Sequence, residues 1–388
     1  MRILITTDSF YPLMSGVLNY VIVTANTLVA RGHHIDILAT RDTPKIPRGI
    51  INPQVKIHYV DGKGLFFYPE IKFTSIIGVK DVQRIKRIKP DIIYFQTPGT
   101  LGLKSIILAR MFAIPLVGIF HTRIASKEYL SYLGNLGKTD TAQYIAWAYT
   151  RYCYNSADLV ISPSIDIKKE LQKHQITTPI TVINNAIDHK KIKRKTSPHS
   201  IKKPAFVYVG RVSRDKNLST LIAGFMLAHQ KNASIKLYII GEGHLRKKLE
   251  ETVRKKHASE YIHILGPLEN KILLETRFLE QFTAFVTMSN TEVQPISIIE
   301  ALFRGLPIIG PDTAGIRELA EGNGILVKKN SPTALARAVL DITRNPKLRE
   351  KLSQSSLTRA KKHTAEAATT ILEDALAQCI THARSKAR

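Results

Sequence analysis

At 388 residues, with 44% hydrophobic and 23% charged side chains, the chain is too long for one ordinary core and too apolar for a disordered polypeptide, so two domains of typical size are expected. Its two cysteines, Cys153 and Cys379, are too few for a disulfide framework or a cysteine metal cluster, which makes a reducing compartment the default. The 57 Lys and Arg against 31 Asp and Glu leave a formal net charge of +26, which calls for an anionic partner: nucleic acid, an acidic membrane or a phosphate-rich substrate.

Short apolar runs alternate with helical patterns twice over, the mark of parallel sheets built from βαβ units. The first half predicts strands at Ile3 to Thr7, Ile35 to Ala39, Lys56 to Val60, Ile92 to Phe95, Pro115 to Phe120, Leu159 to Ser162 and Thr181 to Ile183. The opening MRILITTDSF meets Asp8 too early for a signal-peptide core. After the first strand, in DSFYPLMSGVLNYV, Gly16 precedes a helix beginning near Val17 and lets backbone approach a phosphate, although any loop needs glycines. The spacing is not G-x-G-x-x-G, which disfavours a dinucleotide site. In VQRIKRIKP, Val82, Ile85 and Ile88 share one side of an amphipathic helix and Arg84, Lys86 and Arg87 the outside, where a solvated face is the ordinary alternative to a lipid contact. The apolar run from Ser105 to Phe120 is broken by Arg110 and Pro115, so it reads as a helix end and a buried strand rather than a membrane span. His121 stands just past the carboxyl end of that strand, a position open to ligands but often filled by a satisfied polar residue.

Residues 188 to 203, DHKKIKRKTSPHSIKK, place seven cations after one acid and read as an exposed linker. Beyond it, strands are expected at Phe206 to Val209, Lys236 to Ile240, Ile262 to Leu265, Ala284 to Met288, Pro307 to Ile309 and Ile325 to Val327, and helical patterns fill the rest after Ser331. The loop after the first of these strands holds Gly210, Arg211 and Lys216, a flexible turn with two cations able to neutralise a diphosphate, and Asn217 as a helix cap. The next strand ends in a Gly-rich turn at Gly241, and ILGPL closes on Leu268. In SNTEVQPISIIEALF, Pro295 falls where a first helical position belongs and Ser297 has a hydroxyl free to cap. Unpaired N–H groups of Ile296 and Ser297 then form an anion seat backed by the helix dipole. Glu292 precedes that seat and Glu300 lies inside the helix, so both carboxylates can reach one ligand; as isolated residues they are an ordinary loop and an ordinary helix glutamate.

This last segment resembles the E-G-F-P-x-S-L-L-E-A form of the sugar-nucleotide motif of family-four retaining glycosyltransferases of the GT-B fold. Glu292, Pro295, Ser297, Glu300 and Ala301 match, whereas Val293 and Gln294 stand where Gly and Phe are commoner. The run from Gly210 to Asn217 is similar to the family's G-R-x-x-x-E-K-N, with Asp215 for Glu, and Pro12 to Val17 resembles the P-L-x-S-G-V loop of lipid-directed members. Tyr68, Pro69, Glu70 and Lys72 resemble the Y-P-E-x-R segment of diacylglycerol glucosyltransferases, sulfoquinovosyl transferases and related mannosyltransferases. The segment from His121, with Tyr129 and Tyr132, is similar to that subgroup's H-T-x-Y-E-x-Y-x-x-Y, Ile124 and Ala125 departing from it.

The resemblance implies an α/β protein of two Rossmann-like domains with parallel sheets facing a central cleft. It would divide into an acceptor-binding domain over residues 1–188, a basic linker over 189–203, a nucleotide-sugar domain over 204–368 and a final helix over 369–388 packing back on the first domain. It further implies that Arg211 and Lys216 carry the leaving diphosphate with the Gly16 loop and the Ile296 and Ser297 amides, that Glu300 holds the ribose hydroxyls, and that Glu292 and His121 orient the sugar. Gly210, Gly241, Leu268 and Pro295 would shape the nucleotide pocket. Tyr68, Glu70, Lys72 and Tyr129 would form a lipid mouth, with Arg84 and Arg87 on an anionic membrane.

The expected activity is retaining transfer of a hexose, glucose first, from a nucleotide-diphosphate donor to a lipid such as diacylglycerol, with GDP-mannose-dependent transfer as the alternative. No Asp-x-Asp occurs, so neither a metal nor a cofactor is expected. A non-enzymatic nucleic-acid or membrane binder is the reading from another class. Nucleic acid is disfavoured because the cations are scattered and no aromatics interleave with them. The expected location is the cytoplasm, peripherally at the inner face of the membrane.

Overall fold

The structure, a computed structural model, describes residues 1–12, 15–40, 46–65, 68–74, 77–192, 204–268, 272 and 276–386, with backbone alone at 63–65, 68–73, 191 and 386. It divides into two compact units, Met1–Ala186 with Ala365–Arg388, and Ile187–Thr364.

The first unit holds β1 (Arg2–Thr7), β2 (His34–Thr40), β3 (Lys56–Val60), β4 (Lys63–Leu65), β5 (Tyr68–Phe73), β6 (Ile92–Phe95), β7 (Leu116–Ile119), β8 (Leu159–Ser162) and β9 (Ile180–Val182). Seven of these form a parallel sheet in the order β3-β2-β1-β6-β7-β8-β9. Ile92, Ile93, Tyr94 and Phe95 are all buried, as strands covered by helices on both faces require. β4 and β5 make a separate antiparallel hairpin that the alternation pattern does not predict, because Pro69 inside the run argues against a strand. Helix α1 (Gly16–Ala30) is capped by Ser15, whose hydroxyl accepts the Leu18 N–H at 3.1 Å. The C-terminal helix, Ala365–Lys386, lies on α1: Leu372, Leu376 and Ile380 share a core with Leu18, Val21 and Leu28, and Glu373 bonds Arg31 at 2.8 Å and His33 at 2.7 Å.

The second unit holds β10 (Ala205–Val209), β11 (Lys236–Ile240), β12 (Ile262–Gly266), β13 (Ala284–Val286), β14 (Ile308–Pro311) and β15 (Gly324–Val327), parallel in the order β12-β11-β10-β13-β14-β15. In both sheets the order reverses at the first strand, β1 lying between β2 and β6 and β10 between β11 and β13. The loops leaving β1, β6, β10 and β13 therefore flank the two crevices where an open α/β sheet receives ligands. Among the described residues no helix is long and apolar enough to cross a membrane.

Candidate active site

In the second unit the floor is backbone. Gly210 donates its N–H to the Ile240 carbonyl at 3.0 Å, and Gly241 donates to Gly266 at 2.8 Å, so the turns after β10, β11 and β12 are stitched side by side. A Cβ on Gly241, at φ +146°, would lie 1.8 Å from the Gly210 carbonyl oxygen, so no other residue fits where the two turns meet. Leu268 follows two residues after this stitch.

On that floor sits an ionic cluster that joins two loops. Lys216 Nζ lies 2.7 Å from Glu292 Oε1 and 3.2 Å from Asp215 Oδ2, and Arg211 Nη2 lies 3.3 Å from Asp215 Oδ2. Ser213 donates its hydroxyl to Asp215 Oδ1 at 2.6 Å. Burial alone would raise the Asp215 pKa, but Lys216, Arg211 and the Ser213 hydroxyl together hold it well below the usual carboxylate range. Burial likewise opposes the Lys216 charge, and the Glu292 and Asp215 carboxylates outweigh it, raising the ammonium pKa. Lys216 is only 13% exposed, so it belongs to a buried cluster rather than to an open surface loop. Asn217 sits at the N-cap in the left-handed region, at φ +51°, but its side chain does not cap; it donates to Met288 O and Asn330 Oδ1 and ties the β10 loop to the β13 loop.

The helix after β13, α9 (Ile296–Phe303), has Pro295 as its N-cap rather than its first residue. The Pro295 carbonyl accepts the N–H groups of Ile298 and Ile299 at 3.2 and 3.3 Å, and those of Ile296 and Ser297 lie in the first turn, where no intrahelical acceptor exists. No side chain caps this end, so the Ser297 hydroxyl does not act as the cap. Glu300 is buried, and burial pushes its pKa to about 8, the Arg304 guanidinium opposing the rise. A residue the sequence did not single out shapes this loop: a Cβ on Gly315 would lie 1.9 Å from the Glu292 carbonyl oxygen, so the helix Ala314–Ala320 starts in contact with the Glu292 backbone.

In the first unit, Asp8 ends β1 and gathers the loop after β6. It accepts from the Leu101 N–H at 2.9 Å and from the Thr100 and Thr97 hydroxyls at 3.0 and 2.8 Å, while burial raises its pKa against these bonds. Gly16 opens α1 beside Ser15. His121 lies 3.2 Å from Gln96 Oε1, and its ring meets that of Tyr20 edge-on at 4.7 Å. The Gln96 amide nitrogen donates to the Tyr94 carbonyl, so its oxygen is the atom facing His121; Nε2 of the imidazole then carries the proton and Nδ1 is the acceptor. Burial lowers the His121 pKa to about 3. His121 therefore stays neutral from pH 5 to 8, and pH–rate profiles of wild type and His121→Asn are expected to differ in height but not in shape over that range. An ionisation near pH 6.5 present only in the wild type would contradict this.

The other expected positions fall unequally. Arg84 is not free for a membrane: it donates to Asp81 Oδ1 at 3.1 Å, and Asp81 also pairs at 2.8 Å with Lys104, 2% exposed. A buried lysine needs a nearby carboxylate, and Asp81 serves both cations, drawing Arg84 inward. Lys86 and Arg87 are exposed. Tyr129 packs edge-on against Tyr132 at 6.1 Å. The side chains of Tyr68, Glu70 and Lys72 and the linker over 193–203 lie outside the described residues. Sequence reasoning missed Gln96, Asp8 and Gly315; Asp8 and Gln96 follow β1 and β6 at the reversal of strand order, whereas Gly315 follows β14 and has no such mark.

Residues 14–191 match the model for Glycosyltransferase Family 4 and residues 189–359 that for Glycosyl transferases group 1. A GDP-mannose-dependent alpha-mannosyltransferase of Mycolicibacterium smegmatis is 27% identical over 333 residues, 82% of each chain. An alpha-monoglucosyldiacylglycerol synthase of Acholeplasma laidlawii is 25% identical over 389 residues, 94% of each chain. In fold the chain matches sucrose-phosphate synthase from Thermosynechococcus elongatus at 18% identity with a TM-score of 0.80, covering 98% of this chain and 100% of that one. The two parallel sheets and the two adjoining family matches together establish that this chain belongs to the GT-B glycosyltransferases that join a family-four half to a group-one half.

Proposed function

We propose that the protein moves a hexose, glucose in the first instance, from a nucleotide-diphosphate donor to a membrane lipid of diacylglycerol type, with retention of configuration and without a divalent metal. The observation that carries this reading is the contact of Lys216 with Glu292, 2.7 Å apart and joining the β10 and β13 loops beside the first turn of α9. Two of the three Lys216 N–H groups are engaged by carboxylates, so the third is left for a phosphate oxygen, with the Ile296 and Ser297 amides and Arg211 as further donors. Preorganised donors of this kind stabilise charge that develops on a leaving group. In the transfer, the bond from the sugar's anomeric carbon to the diphosphate breaks, an acceptor hydroxyl bonds to that carbon on the same face, and its proton goes to the departing diphosphate. The family resemblance assigns Glu292 and neutral His121, whose Nδ1 is an acceptor, to the sugar hydroxyls and Glu300 to the ribose.

The lipid acceptor is supported by the similarity to the diacylglycerol synthase, and a place at the cytoplasmic face of an anionic membrane by the net charge of +26. The mannosyltransferase similarity supports GDP-mannose as the second donor reading. A panel of UDP-glucose, UDP-galactose and GDP-mannose, assayed with and without vesicles containing diacylglycerol, separates the two. Glycolipid is expected from UDP-glucose; product from GDP-mannose alone moves the assignment to the mannosyl reading, and no glycolipid from any donor refutes the acceptor class. Turnover is expected to persist in excess EDTA, because the leaving-group charge is assigned to side-chain cations. Loss restored only by magnesium or manganese would refute that.

A further inference from the structure

Helix α5 (Asp140–Asn155) has two apolar sides, and only one is covered. Trp147, Thr150, Cys153 and Tyr154 point into the first unit. On the opposite side, at helical spacing, Tyr144 is 67% exposed, Ile145 61% and Tyr152 51%, with Ala148 between them. The turn before the helix adds Leu136, 81% exposed, and Leu133, 45%. Leu136 is presented from a fixed turn: a Cβ on Gly137 would lie 1.8 Å from the Leu130 carbonyl oxygen, and Thr139 caps α5 by accepting the Ala142 N–H at 3.1 Å. A soluble monomer seldom concentrates large apolar side chains this way without a partner.

The charges select the partner. Within residues 133–152, Lys138 and Arg151 are the cations, and the Arg151 guanidinium sits 5.8 Å from the centre of the Tyr144 ring. Asp140 is the single acid there, and Lys127 engages it at 2.7 Å. Exposed leucines and isoleucine with tyrosines and cations among them match the hydrocarbon, interface and anionic headgroups that a bilayer offers. We infer that the outward face of α5 and the turn before it form the surface that enters an anionic bilayer, seating the first unit on the membrane that supplies its acceptor. This rests on the lipid reading above for the acceptor, not for the contact itself, and it places the contact at α5 instead of at Arg84.

The test uses the full chain with Leu136, Tyr144 and Ile145 all changed to Ser, side chains so exposed that the fold does not depend on them. Sedimentation with vesicles of equal parts phosphatidylcholine and phosphatidylglycerol should show wild type bound and the triple variant weakened by roughly a hundredfold, the scale of losing three apolar side chains from the interface. Donor hydrolysis in solution should be unchanged in the variant. Leu136→Trp, added to the native Trp147, should be quenched by brominated acyl chains. The inference is overturned if wild type binds no vesicles, if the triple variant binds as wild type does, if Leu136→Trp is not quenched, or if the variant's only change is loss of self-association. Vesicle binding that behaves as expected while no lipid is glycosylated would leave this surface standing and sink the acceptor assignment.

Discussion

Replacing Lys216 with Met is expected to lower turnover by about a hundredfold or more, the scale of losing one preorganised donor to a developing charge. The same change is expected to destabilise the second unit by about 3–5 kcal/mol, because it leaves Asp215 and Glu292 facing each other without their shared cation. Arg211→Ala separates the two effects. At 35% exposure Arg211 makes the weaker contact with Asp215, so its removal should reduce turnover on a similar scale with little loss of stability. A Lys216→Met, Glu292→Gln double variant should regain part of the stability, since fewer buried charges remain unpaired, but none of the turnover. Turnover at saturating donor and urea midpoints measure both quantities. Single variants within about twofold of wild-type turnover would remove Arg211 and Lys216 from the leaving-group assignment.

Glu300→Gln is expected to stabilise the protein in a pH-dependent way while weakening donor binding. Burial raises the Glu300 pKa from 4.5 to about 8, so the folded chain holds this proton more tightly than the unfolded chain does. Stability from this group is complete below pH 4.5 and falls steadily as pH rises to about 8, beyond which the whole penalty applies. A shift of that size amounts to a few kcal/mol. Glutamine keeps the shape without the charge, so the variant should match wild type near pH 4 and exceed it by a few kcal/mol at pH 8, while its affinity for the nucleotide drops because an NH2 donor replaces one of the two carboxylate acceptors for the ribose hydroxyls. Parallel denaturant titrations at the two pH values, with calorimetry of UDP binding, supply the comparison. An equal stability difference at both pH values would show that Glu300 keeps its ordinary pKa in the fold.

The sequence was most legible where local order controls the outcome. Ile92–Phe95 and Leu159–Ser162 are strands over the residues read from their apolar runs, because a parallel strand buried on both faces needs an unbroken run and little else. Gly210 with Arg211 and Lys216 could be placed in a turn after a strand, and Ile296 with Ser297 at the start of a helix, because turn and helix-start residues act on their own backbone. The hairpin at Lys63–Leu65 and Tyr68–Phe73 was not legible, since Pro69 weakens the local signal and the pairing is supplied by the partner strand.

Tertiary structure alone decided which charges and apolar side chains remain available. Arg84 and Arg87 read alike on one helix, yet Arg84 is drawn to Asp81 by a carboxylate that also serves Lys104 from another helix. Lys216 reads only as a loop cation able to meet a diphosphate, and the fold locks it between Asp215 and Glu292, the latter 76 residues away. His121 takes its neutral form from burial, and its tautomer from Gln96, which follows β6 and is itself oriented by the Tyr94 carbonyl. The apolar spacing of α5 marks a helix but not which side is covered, and the fold hides Trp147 while leaving Tyr144 and Ile145 outside. Periodicity and turn chemistry are properties of neighbours in sequence. Burial, ion pairing and proton affinity are set by neighbours in space, many of them far away along the chain.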